Sequence, residues 1–336
     1  MANTNYKSFR ADDRSFFSLI KKEIHQLVAN AGFDEGRAGK VDIIVSELTS
    51  NLGKYADNGR LLAGMGSDIQ GDFFEVISLD DGPGIPDLTR VLSNGYSSSG
   101  TLGHGLGSIQ RLSDESDLYS LKGWGTIVTA RVYKSEPYGY RKKGLDCKGL
   151  NIPKPGEQVS GDGFFIRETP DGFQLLAADG LGHGVEAHAA VVKAGEAFAA
   201  HSETTAVDTI RFIHDRIRKT RGVVGLVVFF DRAARQWRIA GAGNIAARWT
   251  GLNNSRSYVS YNGIIGYNIP GTMNDQVFAL DDYNQFIACS DGIKSRWELA
   301  KFPGIGHHDG MIIASAIYKE FVRGNDDASI IVCKSV

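Results

Sequence analysis

The sequence is poor in cysteine and in long apolar runs, and each shortage excludes a class of protein. Its 336 residues contain three cysteines, Cys147, Cys289 and Cys333, without CxxC spacing. This fits neither a disulfide framework nor a zinc site, so we expect three reduced thiols. The longest apolar run, Val223 to Phe230, is far shorter than the ~20 residues of a membrane span, and the N-terminus lacks an apolar core. We therefore predict a soluble cytoplasmic protein that does not bind membranes.

A dominant charge is also missing. The chain has 37 Lys and Arg residues against 39 Asp and Glu residues, with a net charge of -2. No field of the whole molecule would attract DNA or RNA, so we expect no nucleic-acid partner. The length exceeds the ~100 to 200 residues that are common for one domain, which predicts two domains.

Helical spacing predicts a first helix between Asp12 and Gly32 and a second from about Asp34 to Tyr55. A strand over 73–80 then leads into a Pro/Gly turn, and a strand over 126–133 closes this half. The polar segment 135–149 has no clear periodicity. We accordingly predict domains at 1–135 and 151–336 with a linker at 136–150.

The second half predicts a β-rich domain with paired helices. A hairpin is expected around Pro170-Asp171-Gly172, followed by helices at 185–201 and 206–220. Five further strands are expected at 223–231, 236–241, 245–250, 285–290 and 328–334. The chain is therefore an α+β protein of two domains.

Three polar side chains lie on one face of the second predicted helix. Glu47, Asn51 and Lys54 follow each other at i, i+4 and i+7. The amide oxygen of Asn51 suits Mg²⁺, and the Glu47 carboxylate could act as a general base. Such a trio alone is more often a solvated helix face than a site.

Its order with later motifs favours a nucleotide site. Asp80 at a strand end can accept a hydrogen bond from an exocyclic amine such as that of adenine, and Gly82 and Gly84 let the backbone pass close to a flat ring. A glycine-rich loop over 100–107 offers amides for phosphate, followed by Gly125-Thr126.

This segment resembles the GHKL (Bergerat-fold) ATPases, in particular the anti-sigma-factor serine kinases of the RsbT/RsbW type, over roughly 5–135. The matching motifs are ELTSNLGKYA, DDGPGIPD and the ATP lid GYSSSGTLGHGLGSIQRL. The resemblance implies an ATP-binding α/β sandwich. It further implies Mg²⁺ on Asn51, Glu47 as base, Asp80 reading adenine, and phosphates held by the amides of Gly103, Gly105 and Gly107; Lys54 and Thr126 complete the predicted set.

Acidic residues recur at predicted strand ends and turns in the second half: Asp162, Asp179, Asp291 and the pair Asp326-Asp327. Any one of them is more often an ordinary turn residue. Together they suggest carboxylates that converge on two hard divalent cations bridged by a nucleophilic water. The glycine after Asp179, Gly180, frees a backbone carbonyl as a further ligand.

The motifs SGD, ADGLGHGVEAH, SDG and NDDAS resemble the metal-dependent PPM-type phosphatases of the SpoIIE/RsbU/RsbX branch, from about Gly156 to Val336. The resemblance implies an αββα sandwich and Mn²⁺ or Mg²⁺ on Asp162, Asp179, the Gly180 carbonyl, Asp291 and Asp326. The choice between Asp326 and Asp327 stays open, with Asp326 preferred. Eukaryotic members of the family use an arginine for the substrate phosphate, and no position here can be matched to it, which leaves the binding of the substrate phosphate open. His307 and His308 are expected in a surface turn.

Two functions from different classes follow. In the first, the chain is a bifunctional enzyme that phosphorylates and dephosphorylates Ser or Thr of a partner, which the resemblance implies is a STAS-domain protein of a partner-switching stress pathway. In the second, it is a phosphatase whose first domain only senses ATP or docks a protein. Two degenerate scaffolds are disfavoured by the intact acidic sets. The oligomeric state stays open, with a homodimer as one option.

Overall fold

A computed structural model describes residues 4–86, 102–137, 145–169, 172–201, 205–251, 254–280 and 283–335, with only the backbone at 102–104, 145 and 335. The chain divides into two compact units. The N-terminal unit consists of Tyr6–Arg141 together with Glu298–Lys319. The C-terminal unit consists of Met1–Asn5, Lys142–Trp297 and Glu320–Val336.

The N-terminal unit places helices on one antiparallel sheet. Its helices are α1 (Phe17–Asn30), α2 (Glu35–Tyr55) and α3 (Leu102–Leu112). Its strands are β1 (Lys7–Arg10), β2 (Arg60–Asp68), β3 (Gly71–Leu79), β4 (Glu115–Leu121) and β5 (Gly125–Tyr133), in the order β1-β2-β3-β5-β4. The sheet thus brings the end of β3 beside the start of β5.

Helix α2 forms where the sequence predicts it. The Asp34 carboxylate caps it by accepting a hydrogen bond from the Arg37 amide at 2.8 Å. Ile44, Leu48 and Leu52 recur at helical spacing and are at most 3% exposed. They pack in one apolar cluster with residues of α1, α3 and the sheet. The opposite side of α2 is left to carry polar groups.

The C-terminal unit contains two five-stranded antiparallel sheets. The first, in the order β13-β10-β9-β8-β7, uses β7 (Asp162–Thr169), β8 (Gly172–Gly180), β9 (Val223–Asp231), β10 (Gln236–Ala242) and β13 (Gln276–Ala279). The second, in the order β12-β11-β14-β15-β6, uses β6 (Leu145–Ile152), β11 (Ala246–Thr250), β12 (Ser255–Tyr258), β14 (Gln285–Cys289) and β15 (Ala328–Ser335).

The two sheets pack face to face over a shared apolar core. Trp237 of the first sheet and Trp249 of the second are both fully buried, with ring centroids 6.5 Å apart. Helices α4 (Val185–Ala199) and α5 (Ala206–Arg216) cover the outer side of the first sheet through a second apolar cluster. This layering is the two-sheet sandwich that the resemblance to PPM-type phosphatases implies.

Several elements differ from the sequence prediction. Strand β6 begins at Leu145, inside the segment predicted as a linker, because it pairs with β15 at the far end of the chain. Strands β2 and β4 and helix α6 (Gly310–Phe321) were not predicted. The segment 298–319 clusters with the N-terminal unit, so the units are not the contiguous ranges that we expected.

The cysteine prediction is wrong for two of the three residues. Cys147 and Cys333 lie directly opposite each other on β6 and β15, and they are joined as a disulfide. They are 186 residues apart in sequence, so only strand pairing reveals that they meet. Cys289 is a buried free thiol, as expected. Among the described residues, no helix is long and apolar enough to cross a bilayer.

Candidate functional site

The structure brings Glu47 and Asn51 of α2 against Gly105 of α3. A Cβ atom placed on Gly105 would lie 2.7 Å from Oε2 of Glu47 and 3.6 Å from Oδ1 of Asn51. Any larger residue at 105 would displace the Glu47 carboxylate. Glu47 and Asn51 are both half-buried, whereas Lys54 is exposed one turn later. The two helices therefore gather a carboxylate and an amide oxygen at one point, as the sequence predicts.

Asp80 directly follows β3, and two backbone amides fix its carboxylate. Its Oδ1 accepts hydrogen bonds from the amides of Gly82 at 2.8 Å and Thr126 at 3.2 Å. Both bonds use one carboxylate oxygen, so Oδ2 is left without a hydrogen bond to any residue that the structure describes. Burial raises the pKa of Asp80. An oriented, half-buried acceptor of this kind suits an exocyclic amine.

The glycines around Asp80 are required by close backbone contacts. A Cβ atom on Gly82 would lie 2.7 Å from the carbonyl oxygen of Tyr55. Gly84 has a φ of +75° and would place a Cβ atom 2.4 Å from the carbonyl oxygen of Leu121. Gly125 is nearer still, at 1.9 Å from the Asp80 carbonyl oxygen. The shape of the turn is thus set by its close contacts with the end of α2 and with the neighbouring strands.

The glycine-rich lid is shorter as a loop than predicted. Helix α3 already begins at Leu102, so the amides of Gly105 and Gly107 fall in its i to i−4 hydrogen-bond ladder. A contact of these two amides with phosphates therefore stays a prediction. Gly103 lies in the first turn, where backbone amides have no partner within the helix and can bind an anion. The lid residues 95–101 lie outside the described residues.

In the C-terminal unit, Asp162 and Asp179 are directly opposite each other at the ends of β7 and β8. Asp162 is only 2% exposed, and the Gly180 amide donates to the Gly161 carbonyl at 2.8 Å. Burial, together with the charges of the neighbouring carboxylates, raises the pKa of Asp162 to about 7 and that of Asp179 to about 9. The two strand ends thus bring together carboxylates that resist ionising side by side.

Asp291 approaches this pair from the turn after β14. The carboxylate of Asp179 is affected by the charges of both Asp291 and Asp326, so these groups converge in space. Asp291 is exposed, and its Oδ2 accepts a hydrogen bond from Asn244 at 3.0 Å. Its carbonyl oxygen accepts from Nε of Arg323 at 2.8 Å. The turn is therefore fixed while one carboxylate oxygen stays available.

Asp326 and Asp327 have different environments. Asp327 is 3% exposed, and its two carboxylate oxygens accept hydrogen bonds from the amides of Lys154 at 2.8 Å and Gly161 at 2.9 Å. Asp326 accepts one bond, from the Asp327 amide at 3.0 Å, and is half-buried. Asp327 thus anchors the loop before β7, which leaves Asp326 as the better candidate ligand.

The donor chemistry fits hard divalent cations. The site offers carboxylates and a backbone carbonyl, and cations would relieve the repulsion that raises the two pKa values. In the described part of the chain, no three acidic, His or Cys side chains already form a group that could hold one ion. The described carboxylates point to one region but do not yet surround a single position that an ion could occupy. Metal binding at these residues remains a proposal.

The sequence missed one basic residue beside this site. Nη1 of Arg221 lies 3.2 Å from the position of a Cβ atom on Gly182, in the loop that follows Asp179 and Gly180. Its exposed guanidinium forms no hydrogen bond or ion pair with a described residue. The two loops are joined by a bond from the Leu181 amide to the Gly222 carbonyl at 3.3 Å. No local motif marks Arg221, because this pairing forms only in the fold.

His183 and His308 both have structural partners. His183 pairs with Glu157 through its Nδ1 at 2.7 Å. His308 is half-buried, and its Nδ1 lies 3.0 Å from a carboxylate oxygen of Asp117 within the N-terminal unit. The expectation of a surface turn at His308 is therefore wrong, since the side chain packs against Tyr119 as well.

Sequence comparison identifies relatives of the N-terminal unit. A family model described as a histidine kinase-like ATPase domain matches residues 10–132. The serine/threonine-protein kinase RsbT of Bacillus subtilis (strain 168) is 37% identical over 99 residues, which cover 30% of this chain and 74% of RsbT. Helix α2, the Asp80 turn and α3 all lie inside the family match.

Solved structures resemble the remainder of the chain. One, from work on the bacterial stressosome as a modular system that controls secondary messenger signaling, is 26% identical with a TM-score of 0.52, over 56% of this chain and 99% of that one. RsbX in complex with magnesium is 16% identical with a TM-score of 0.52, over 59% of this chain and 98% of RsbX. By its N-terminal unit the chain belongs to the family of histidine kinase-like ATPase domains that includes RsbT, and it joins this domain to a PPM-type phosphatase fold.

Proposed function

We propose that the chain is a bifunctional partner-switching regulator. Its N-terminal unit transfers the γ-phosphoryl group of ATP to a Ser or Thr of a partner protein, and its C-terminal unit hydrolyses such a phosphoester. The observation that carries this proposal is the presence of two separate convergent sites, Glu47–Asn51–Gly105 and Asp162–Asp179–Asp291, in one chain. Neither set is lost or filled by apolar residues, as it would be in a scaffold.

The kinase half follows from the positions around α2. Asn51 would hold Mg²⁺, which neutralises charge on the phosphates when bound. Asp80 would bind the adenine amine through its unused carboxylate oxygen, and the first turn of α3 at Gly103 would face phosphate oxygens. Glu47 beside Asn51 would accept the proton of the attacking hydroxyl. The kinase activity of RsbT, over a 37% identical segment, supports this assignment.

The phosphatase half follows from the strand ends of the sandwich. Asp162, Asp179, the Gly180 carbonyl, Asp291 and Asp326 would hold Mn²⁺ or Mg²⁺, which supply a nucleophilic hydroxide when bound. Arg221 lies beside the loop after Gly180 and would hold the substrate phosphate. Asp327 keeps the loop before β7 in place through its two amide bonds. That RsbX was solved with magnesium supports the choice of ion.

The relatives of the two units support one class of protein partner. The similarity to RsbT and to a structure from stressosome work supports a STAS-domain protein as substrate of both units. Dephosphorylation of that protein by the second unit would reverse the kinase reaction. A cytoplasmic location remains a prediction, as does the choice between monomer and homodimer.

One labelling experiment tests the proposal. The purified chain is incubated with γ-labelled ATP, Mg²⁺, Mn²⁺ and a STAS-domain protein, and Asn51→Ala and Asp179→Ala are compared with wild type. We expect label on the partner to accumulate with Asp179→Ala and to be absent with Asn51→Ala. Asp215→Ala, an exposed aspartate on α5, is the matched control. An unlabelled partner in every reaction, with ATP still bound, would exclude the kinase half and leave a nucleotide sensor.

A further inference from the structure

The N-terminal unit contains a segment from the far end of the chain. Glu298–Lys319 follows β14 in sequence but clusters with Tyr6–Arg141. Phe302 packs against Trp124 with ring centroids 5.1 Å apart, and the Asp309 amide donates to the Asp117 carboxylate at 2.7 Å. The segment is therefore part of this unit and not a loop that merely passes over it.

Lys319, on α6 at the end of this segment, is a buried cation. Its side chain is 5% exposed, and Nζ lies 2.7 Å from Oδ1 of Asp81 and 2.9 Å from the carbonyl oxygen of Trp124. Nζ is also 4.0 Å from the centroid of the Trp124 ring. Burial of an ammonium group is costly unless the charge is paired, and here the Asp81 carboxylate and the Trp124 carbonyl pair it.

The partner of Lys319 belongs to the nucleotide turn. Asp81 directly follows Asp80, its amide donates to the Asp57 carbonyl at 2.8 Å, and its Oδ2 accepts from Asn58 at 3.2 Å. Trp124 lies two residues before Thr126, and the backbone amide of Thr126 donates a hydrogen bond to the Asp80 carboxylate. Lys319 thus joins the two strand ends that hold the Asp80 carboxylate.

Lys319 also acts on Asp80 through its charge. Burial raises the pKa of Asp80, while the Lys319 cation lowers it and the Asp81 charge raises it. The charged groups that act on Asp80 are thus Lys319 and Asp81, and Arg60 acts on Asp81 in turn. An ionised carboxylate accepts a stronger hydrogen bond from the adenine amine than a protonated one does, so the cation favours the form of Asp80 that binds more tightly.

We infer that Lys319 is a positioning residue of the ATP site, supplied by the C-terminal end of the chain, which orients the Asp80–Asp81 turn for the adenine base. The inference rests on the proposed function of the N-terminal unit. It adds a residue nearly 240 positions from Asp80 to the nucleotide site, outside the residues matched by the family model. The ATP site is then complete only when the segment 298–319 is in place.

The test measures nucleotide affinity in the full chain. The dissociation constant of a fluorescent N-methylanthraniloyl-ATP with Mg²⁺ is determined across pH 5 to 8 for wild type, Lys319→Met, Lys319→Arg and Lys22→Met. Lys22 is an exposed lysine on α1 and controls for the loss of one positive charge. We expect Lys319→Met to weaken binding about tenfold, the order for a hydrogen bond to a charged group. Lys319→Arg keeps the positive charge and should bind the nucleotide with nearly wild-type affinity.

The pH profile separates positioning from a merely structural role. Removal of the cation leaves burial to raise the pKa of Asp80 further, so Lys319→Met should lose binding at a higher pH than wild type as the solution is acidified. If Lys319→Met does not fold, Asp81→Ala removes the same ion pair from a side chain that is 44% exposed. Its binding should also weaken.

Each outcome decides one question. Wild-type affinity and pH dependence in both Lys319→Met and Asp81→Ala would overturn the role of Lys319 and leave the proposed function intact. A wild-type protein that does not bind the nucleotide would instead overturn the proposed function, and the positioning role with it. Weakened binding with an unchanged pH profile would reduce Lys319 to a structural ion pair.

Discussion

At the scale of single residues, the most unusual chemistry lies at Asp162 and Asp179. Burial and mutual repulsion hold their pKa values at about 7 and about 9, far above the ordinary value of 3.8. Because the folded values lie above the unfolded ones, the folded state retains protons that the unfolded chain releases. These carboxylates therefore destabilise the metal-free fold as pH rises from about 4 to about 9.

The same shifts predict proton release on metal binding. Mn²⁺ binds ionised carboxylates, so its affinity should rise with pH between about 6 and 9 and each binding event should release protons. Calorimetric titrations at pH 7 in two buffers of different ionisation enthalpy measure this release. The variant Asp179→Asn should bind more weakly and release fewer protons. Equal heats in both buffers would contradict the elevated pKa values.

A second prediction concerns Gly105. Substitution by Ala places a methyl group 2.7 Å from Oε2 of Glu47, so this carboxylate must move. We expect Gly105→Ala to lower phosphoryl transfer by at least about tenfold, part of the roughly 10²–10⁴-fold that a general base contributes. Transfer of label from ATP to the STAS-domain protein measures it.

Gly39 on α2 provides the matched control, because no heavy atom lies within 4 Å of a Cβ atom placed there. Gly39→Ala should keep the activity and stabilise the protein by about 0.5–1 kcal/mol, since alanine is the better helix former. Equal activity in Gly105→Ala and wild type would show that the Glu47 carboxylate does not act where it lies.

At the scale of elements, both sites are built where helices and strands end. Helix α2 positions Glu47 and Asn51 through its buried face, while the β3–β5 pairing carries Asp80 to the Thr126 amide. In the other unit, the register of β7 against β8 places Asp162 opposite Asp179. Polar groups collect at these ends because the middle of each element is buried against an apolar core.

The cap of α2 yields a prediction at this scale. Asp34→Ala removes the acceptor of the Arg37 amide and should lower the free energy of unfolding of the N-terminal unit by about 1 kcal/mol. Asp72→Ala, at an exposed position on β3, serves as the control. Urea unfolding followed by circular dichroism measures the difference. A loss confined to the control, or none in either variant, would show that the cap does not stabilise α2.

At the scale of the whole molecule, the units do not follow the order of the chain. The N-terminal unit takes Glu298–Lys319 from beyond β14, and the C-terminal unit takes β6 as the partner of β15. The boundaries that a sequence suggests are therefore not those at which the protein can be divided.

Removal of the segment 298–319 should destabilise the N-terminal unit and expose the apolar surface that this segment covers. A fragment of residues 1–141 lacks the ring of Phe302 over Trp124 and the partner of Asp81. We expect it to melt at a lower temperature than the first transition of the intact chain and to bind a hydrophobic dye such as anilinonaphthalene sulfonate. Addition of a synthetic peptide of residues 298–319 should restore part of the difference. An equally stable fragment without dye binding would contradict this dependence.

The sequence alone determined both fold classes, since its local patterns coincide with them. Helical spacing predicted α2, and strand-forming runs with Pro/Gly turns predicted a β-rich domain with paired helices, whereas the sandwich was implied by the resemblance to PPM-type phosphatases; the structure confirms these features. The sequence could predict that Glu47 and Asn51 lie on one face, because both belong to a single helix. It could likewise predict the acidic turns, because each lies at the end of a single strand.

Only the tertiary structure decided which distant groups meet. Cys147 reaches Cys333, Lys319 reaches Asp81, and Arg221 reaches the loop at Gly182, through pairings that leave no local mark. Only the structure shows that α3 begins at Leu102, so that the amides of Gly105 and Gly107 pair within the helix. The sequence could not predict this, because a glycine-rich segment has the same composition whether it forms a loop or the start of a helix. Local patterns report the periodicity of one element, whereas contacts between elements depend on how their buried faces pack.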